Sequence, residues 1–282
     1  MQPHLLVAQL RFSRSEFVRC LEGVSEEDAA RRLMPMNCIS WMVGHLANQE
    51  HRYWVIFAQQ KNVAPDLYEL VGYGKPASTP ALREMWAAWR KVTAAADEYL
   101  DTLTPEIMQT YLLRDGKPVD ESVGTLLLRN IYHYWYHTGE AAAVRRLMPM
   151  NCISWMVGHL ANQEHRYWVV FAQQKNIVPD LNDLVGYGKP ASTPALVEMW
   201  AAWRKVTAAA DEYLDTLTPE SLQGYLIRDG KPVDENIGTL LLRNIYHYWM
   251  HTGEASAVRQ MLGHVHLPEF VGDINTAAYR PE

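Results

Sequence analysis

Cysteine and phenylalanine are scarce, with three and five residues in a chain of 282. Three thiols cannot build a disulfide framework. Two of them, Cys38 and Cys152, are copies of one position, so reduced thiols in a cytoplasmic protein are the expectation. No apolar run approaches the ~18 residues of a membrane span. The opening MQPHLLVAQLRFSR has no basic start and no small-residue cleavage site, which argues against a signal peptide and a membrane role. Lysine and arginine form no stripe, and a net charge of −6 speaks against nucleic acid as a partner. Glycine and proline, 16 and 15, are too few for collagen or low-complexity disorder. Also missing are a phosphate-binding loop, a dinucleotide glycine motif, a C-x-x-C pair and a base beside Cys20 or Cys38.

What the chain does have is a near-copy of itself. RRLMPMNCISWMVGHLANQEHRYWV begins at Arg31 and again at Arg145, and residues 31–144 align with 145–258 without a gap. Fourteen of the 114 positions differ, six of them aliphatic or Met exchanges such as Ile56/Val170. A period this long is a duplicated domain rather than a solenoid unit. Residues 1–30 occur only in front and residues 259–282 only behind, so the first copy lacks a tail and the second lacks a head. Joining 1–144 to 259–282 makes a plausible single domain. The expected division is a complete unit over 1–147 and a second over 148–282.

Hydrophobic spacing predicts helices throughout and no strand. Residues 4–22 form an amphipathic helix, and Ser25-Glu26-Glu27-Asp28 starts a short one ending near Leu33. A helix runs from about Cys38 to Gln60, and 61–79 is a loop. Ser78-Thr79-Pro80 starts a helix over about 80–103, with Leu82, Met85, Trp86, Trp89, Val92 and Ala96 on one face. Arg114–Pro118 is a tight turn, and a last helix starts near Glu121. The fold class is therefore all-α, an up-and-down four-helix bundle, tandemly duplicated with the second copy lacking its first helix. A short joint at Pro149 connects the two. The face left bare in the second copy is of the kind that drives association.

Eleven histidines carry the chemical signal. In each copy one lies on the second long helix, His45 and His159. Two more lie four apart on the last, His133 with His137 and His247 with His251. Residues i and i+4 share a helical face, so both imidazoles can address one centre. A third imidazole from a facing helix completes a three-His site with open positions for water or substrate. Imidazoles suit Zn, Ni or Fe(II). Glu140 shares the face of His133 and His137, as Glu254 does in the second copy, and either can hold a ligand imidazole or a bound water. Asn130, three before His133, can serve similarly. From spacing alone, solvated or packed histidines are the commoner explanation of such a pair. His51 and His165 lie on another face and are packing or surface residues, while His4, His264 and His266 are solvated or make local hydrogen bonds.

The pattern GHLANQEHRYW, followed some 88 residues later by HYWYHTGE, resembles the DinB/YfiT-like superfamily. The resemblance covers essentially the whole chain, and the tail LGHVHLPEFVGD is also similar to endings in that family. It implies a DinB-type four-helix bundle holding a divalent metal (Zn, Ni or Fe) through His45, His133 and His137, and again through His159, His247 and His251. It implies catalytic roles near the metal for Glu140 and Glu254. The chemistry implied is that of a metal-dependent hydrolase or a thiol S-transferase. The partner is then a small-molecule substrate and, for the transferase, a low-molecular-weight thiol such as bacillithiol or mycothiol. The alternative is a non-catalytic helical association module with structural or vestigial metal sites. Relatives are often homodimers, so the repeat would act as a pseudo-dimer within the chain or as part of a homo-oligomer. Tyr136 is Met250 in the second copy, which predicts that the two sites differ.

Overall fold

The computed structural model describes residues 3–146, 151–268 and 270–280, so the Pro149 joint lies outside the described residues. The chain divides into two compact units, Met1–Arg145 with Ser256–Glu282, and Arg146–Ala255. Among the described residues no helix is long and apolar enough to cross a membrane.

The first unit holds four long helices, α1 (Leu5–Cys20), α3 (Ile39–Glu50), α5 (Leu82–Leu100) and α7 (Val123–Arg146). Short helices α2 (Glu26–Ala30), α4 (Leu67–Val71) and α6 (Pro105–Met108) lie between them. The apolar stripes predicted from spacing meet in a core of Leu10, Phe17, Leu46, Trp54, Val92, Leu127, Ile131 and Tyr134, each buried to within about 1%. One polar cluster crosses this core. Arg14 of α1 donates from Nε to Glu50 Oε1 of α3 at 2.9 Å and from Nη1 to Asp97 Oδ1 of α5 at 2.8 Å. Its Nη2 meets the second Glu50 oxygen. The Tyr134 hydroxyl of α7 donates to Glu50 at 2.6 Å and accepts from Trp89 Nε1 at 2.7 Å. All four long helices thus contribute to the network, and Phe17 lies edge-on to Tyr134 at 5.8 Å beside it.

Several expectations about local structure need correction. The helix expected over 38–60 is α-helical only to Glu50 and continues as a π-helical segment, His51–Phe57. The stretch 61–79 contains α4. Helix α5 begins at Leu82 with Ala81 at its cap, not at Pro80. Its first N–H groups, those of Leu82 and Arg83, donate to the Glu26 carboxylate at 2.7 and 2.8 Å, a distant acid taking the role expected of a local hydroxyl. The turn at 115–116 joins two strands, β1 (Tyr111–Arg114) and β2 (Lys117–Ser122), paired antiparallel. Asp115 and Gly116 have φ of 52° and 76°, the left-handed pair whose twist suits a two-residue hairpin. The strands escaped prediction because β2 carries one apolar residue, Val119, too little for a period-two signal.

The second unit repeats this order from α8 (Ile153–Glu164) through a π-helical segment His165–Phe171, α9 (Leu181–Val185), α10 (Leu196–Leu214), β3 (Tyr225–Arg228) and β4 (Lys231–Asn236) to α11 (Ile237–Met261). It has three long helices, as expected, around a core of Trp168, Val169, Ala210, Leu226, Ile237 and Leu240. Where α6 stands in the first unit there is a 3-10 turn, Ser221–Gln223, in a stretch where Ser221, Leu222 and Gly224 stand for Ile107, Met108 and Thr110.

The division expected at 147/148 has to be redrawn for the tail. From Ser256 onward the chain belongs to the first unit. Ile274 is buried, the Tyr279 N–H donates to Thr125 Oγ1 at 3.0 Å, and a Cβ on Gly124 would collide with the Tyr279 ring. That ring also stands edge-on to His4 at 6.1 Å. The segments that occur once in the sequence, head and tail, therefore pack in the same unit.

Arg14→Ala strands Glu50 in the core without its cation, which should cost the first unit about 3–5 kcal/mol. Calorimetry should show its transition moving down while the second unit's stays in place. A single unshifted transition would contradict the role given to this ion pair.

Candidate metal centre

Glycine 44 lets α3 approach its neighbours closely; a Cβ there would collide with the Met85 sulfur and lie 3.1 Å from Val71 Cγ1. That approach brings the Val71 carbonyl, at the end of α4, within 2.8 Å of His45 Nδ1. A carbonyl only accepts, so the His45 proton sits on Nδ1 and its Nε2 is bare. His133 Nδ1 lies 2.8 Å from Gln49 Oε1, whose oxygen is identified by the Asn130 amide donating to it at 2.7 Å. His137 Nδ1 lies 2.8 Å from Glu140 Oε2. Each imidazole thus has an acceptor at Nδ1 that fixes its ring and tautomer.

The three Nε2 lone pairs then converge. The candidate ligand atoms of His45, His133 and His137 all lie within 4.8 Å of one another, and those of His133 and His137 are 2.9 Å apart. Bare nitrogens facing each other repel unless a proton or a cation lies among them. Burial disfavours the proton. It pushes His45 down to about 3, with His137 adding to the shift, and holds His133 well below the ordinary imidazole value. The donor set, three imidazoles with acceptors behind them, therefore fits a divalent cation. Imidazole suits Zn, Ni and Fe(II) and selects weakly among them. The resemblance-based set is brought together entire, and no fourth His, Cys or carboxylate joins it among the described residues.

The second unit repeats the geometry. His159 Nδ1 lies 2.8 Å from the Val185 carbonyl, His247 Nδ1 2.6 Å from Gln163 Oε1 and His251 Nδ1 2.6 Å from Glu254 Oε2. The Nε2 atoms of His247 and His251 are 3.0 Å apart. Burial lowers His159 to about 4 and His247 to about 2. The surroundings differ. All three first-unit ligands are buried, whereas His159 and His247 are half-exposed. In the first unit the tail ring of Phe270 lies over His133 at 4.9 Å and beside Tyr136 at 5.2 Å. The Tyr136 hydroxyl donates to Ser256 Oγ at 2.7 Å, and Gln260 Nε2 donates to Glu140 Oε1 at 3.3 Å. Met250 offers no such hydroxyl in the second unit.

Some partners of the centre were not among the expected residues. Gln49 and Trp41 sit four residues after and before His45, so helical spacing already placed both on its face. Trp41 stacks on His45 at 4.2 Å and Trp155 on His159 at 4.3 Å. The Val71 carbonyl and Phe270 had no sequence signal, because both depend on chain returning from a distance. Asn130 is one step removed, accepting from Trp54 Nε1 at 2.7 Å and supporting Gln49. His51 is a packing residue whose Nε2 accepts the Val63 and Ala64 N–H groups, and it is no part of the centre. His4 caps α1 through Leu6 N–H, and His264 accepts from Arg259.

The metal-free protein should lose stability on acidification. Between an unfolded value of 6.5 and folded values of about 3 and 4 for His45 and His159, the unfolded chain binds protons that the folded chain does not. Acid in that window therefore favours unfolding. Urea titrations of chelated protein should show the midpoint falling as pH drops from about 6.5 to about 4. A flat midpoint would mean that the imidazoles are not held neutral.

Residues 5–149 match the family model for Mycothiol-S-transferase, and residues 142–255 match that of the DinB superfamily. Comparison with curated proteins and with solved structures gives no match. The all-α bundle and its repeated three-His geometry agree with both matches, and the chain belongs to the mycothiol-S-transferase family, carrying the DinB superfamily unit in two tandem copies.

Proposed function

We propose that the chain is a metal-dependent S-transferase that joins a low-molecular-weight thiol of the mycothiol type to an electrophilic small molecule. The observation that carries this is the pair of three-imidazole centres without a fourth protein ligand among the described residues, in a chain of a family named for that transfer. Three ligands leave coordination open, whereas a structural site closes with four. A divalent ion so held lowers the pKa of a thiol placed at it.

The chain's own residues do the rest. His45, His133 and His137 would hold the ion through their bare nitrogens, with acceptors at Nδ1 from Val71, Gln49 and Glu140. Glu140 and Glu254, given catalytic roles by the family resemblance, act on this reading as positioning residues. Each carboxylate engages the outer nitrogen of a ligand imidazole and raises its basicity. Phe270 and Trp41 border the first centre, one ring over His133 and the other stacked on His45. In the transfer, the thiol sulfur forms a bond to the electrophilic carbon, the bond from that carbon to its leaving group breaks, and the thiol proton passes to solvent. Hydrolysis by the same centre, with water in place of the thiol, is the competing chemistry.

The test is conjugation of mycothiol to monobromobimane by the zinc-loaded protein, followed by mass spectrometry. The adduct should form faster than in buffer, and His45→Ala with His159→Ala together should abolish the difference. A rate equal to the uncatalysed one in the loaded protein would refute S-transfer. A second measurement separates the centres from their chemistry. Zinc should bind at two per chain, and Glu140→Gln with Glu254→Gln should weaken it by about 10–100-fold. Unchanged affinity would deny these carboxylates their positioning role.

A further inference from the structure

The second unit lacks the helix that covers the first, and its uncovered face bears a charge. In the first unit α1 lies across α3, α5 and α7. Arg14 bonds Glu50 and Asp97, Phe17 packs on Trp86 at 6.1 Å and on Tyr134, and Cys20 reaches the Thr138 carbonyl. The same surface exists in the second unit with every one of these partners identical, as Glu164, Asp211, Trp200, Tyr248 and Thr252. Within the second unit no described residue takes the place of α1. Glu50 is fully buried and Glu164 is not, while Thr93 and Thr138 are buried and their counterparts are half-buried at Thr207 and exposed at Thr252. Trp200 is 39% exposed and Leu196 46%, although Leu82 at the latter's position is buried. Trp203 still donates to the Tyr248 hydroxyl at 2.7 Å, so half of the polar network is assembled and its cation is missing. Burial lifts Glu164 above the usual carboxylate range, against the Tyr248 hydroxyl that bonds it.

We infer that this face of the second unit is a seat for an amphipathic helix of another polypeptide, one that presents an arginine to Glu164 and Asp211 and an aromatic ring to Trp200. The first unit is the pattern for the complex, since it shows the same surface with its helix in place. Charge complementarity selects the occupant. An apolar helix without the arginine would cover Glu164 and leave it uncompensated, which is costly in a buried site. The source is not a second copy of these 282 residues by simple exchange. Each copy carries one such helix and two seats, so lending α1 to a neighbour empties its own first unit.

The experiment uses the zinc-loaded full chain and a synthetic peptide of residues 3–22 with Cys20→Ser, the one helix already known to fit this surface. Calorimetric titration should show saturable binding at one peptide per chain. Arg14→Ala in the peptide and Glu164→Gln in the chain should each weaken it by about tenfold or more. Combining them should add little further, as expected for groups that contact each other. No saturation by about 200 μM peptide, or binding indifferent to both changes, would overturn the inference. So would weakening by Glu50→Gln in place of Glu164→Gln, which would mean that the peptide displaces α1 from the first unit. Sedimentation equilibrium of the chain alone gives the last arm. A dimer that the peptide fails to dissociate assigns the face to a second copy and ends the proposal.

Discussion

One head helix and one tail must serve two copies of a bundle whose middle segments are nearly identical, and both are taken by the first unit. That allocation sets every major difference between the units. It closes the polar network of Arg14, Glu50, Asp97 and Tyr134 in one place and leaves it without its cation in the other. It puts Phe270 over one triad and leaves the other half-exposed. Two stretches with 100 identities in 114 positions thereby reach different environments. The difference comes less from the fourteen substitutions than from which ends of the chain each copy can reach.

The centres themselves are alike because their determinants lie within the repeat. An imidazole is a dependable ligand only when its tautomer is fixed, and each of the six has an acceptor supplied from its own copy. Two of the three acceptors in each copy are side chains one helical turn or less from a ligand. The third is a main-chain carbonyl that depends on a glycine for its approach. Burial then keeps protons away from nitrogens aimed at a common point. The same burial that makes these groups good ligands makes the empty site a liability in acid, so ligand quality and acid sensitivity have one cause.

Much of this was legible in the sequence where information is periodic. Helical spacing located the four long helices, and the i, i+4 pairs put His133 with His137 on one face. The family resemblance supplied His45 as the third member. Spacing failed where structure comes from distant chain. Glu26 displaced Ser78 and Thr79 as the cap of α5, and α4 inside an apparent loop supplied the Val71 carbonyl. The hairpins were lost because a four-residue strand is too short to show a period and its six-residue partner carries a single aliphatic side chain. The tail posed a different problem. Its self-sufficiency with residues 1–144 was visible, yet linear order assigned it to the second domain.

The placement of that tail also orders the birth of the molecule. Residues 256–280, which include Ser256, Phe270 and Tyr279, leave the ribosome after the whole second unit has been made. The first bundle can therefore gather its four helices early but receives its closing segment last. Until then its three imidazoles lack the ring that Phe270 lays over His133. Synthesis thus separates assembly of the triad from placement of the ring over it by the time needed to translate about a hundred residues, several seconds at ribosomal rates. A truncation that spared every ligand would still take away that ring and the Gln260 amide on Glu140.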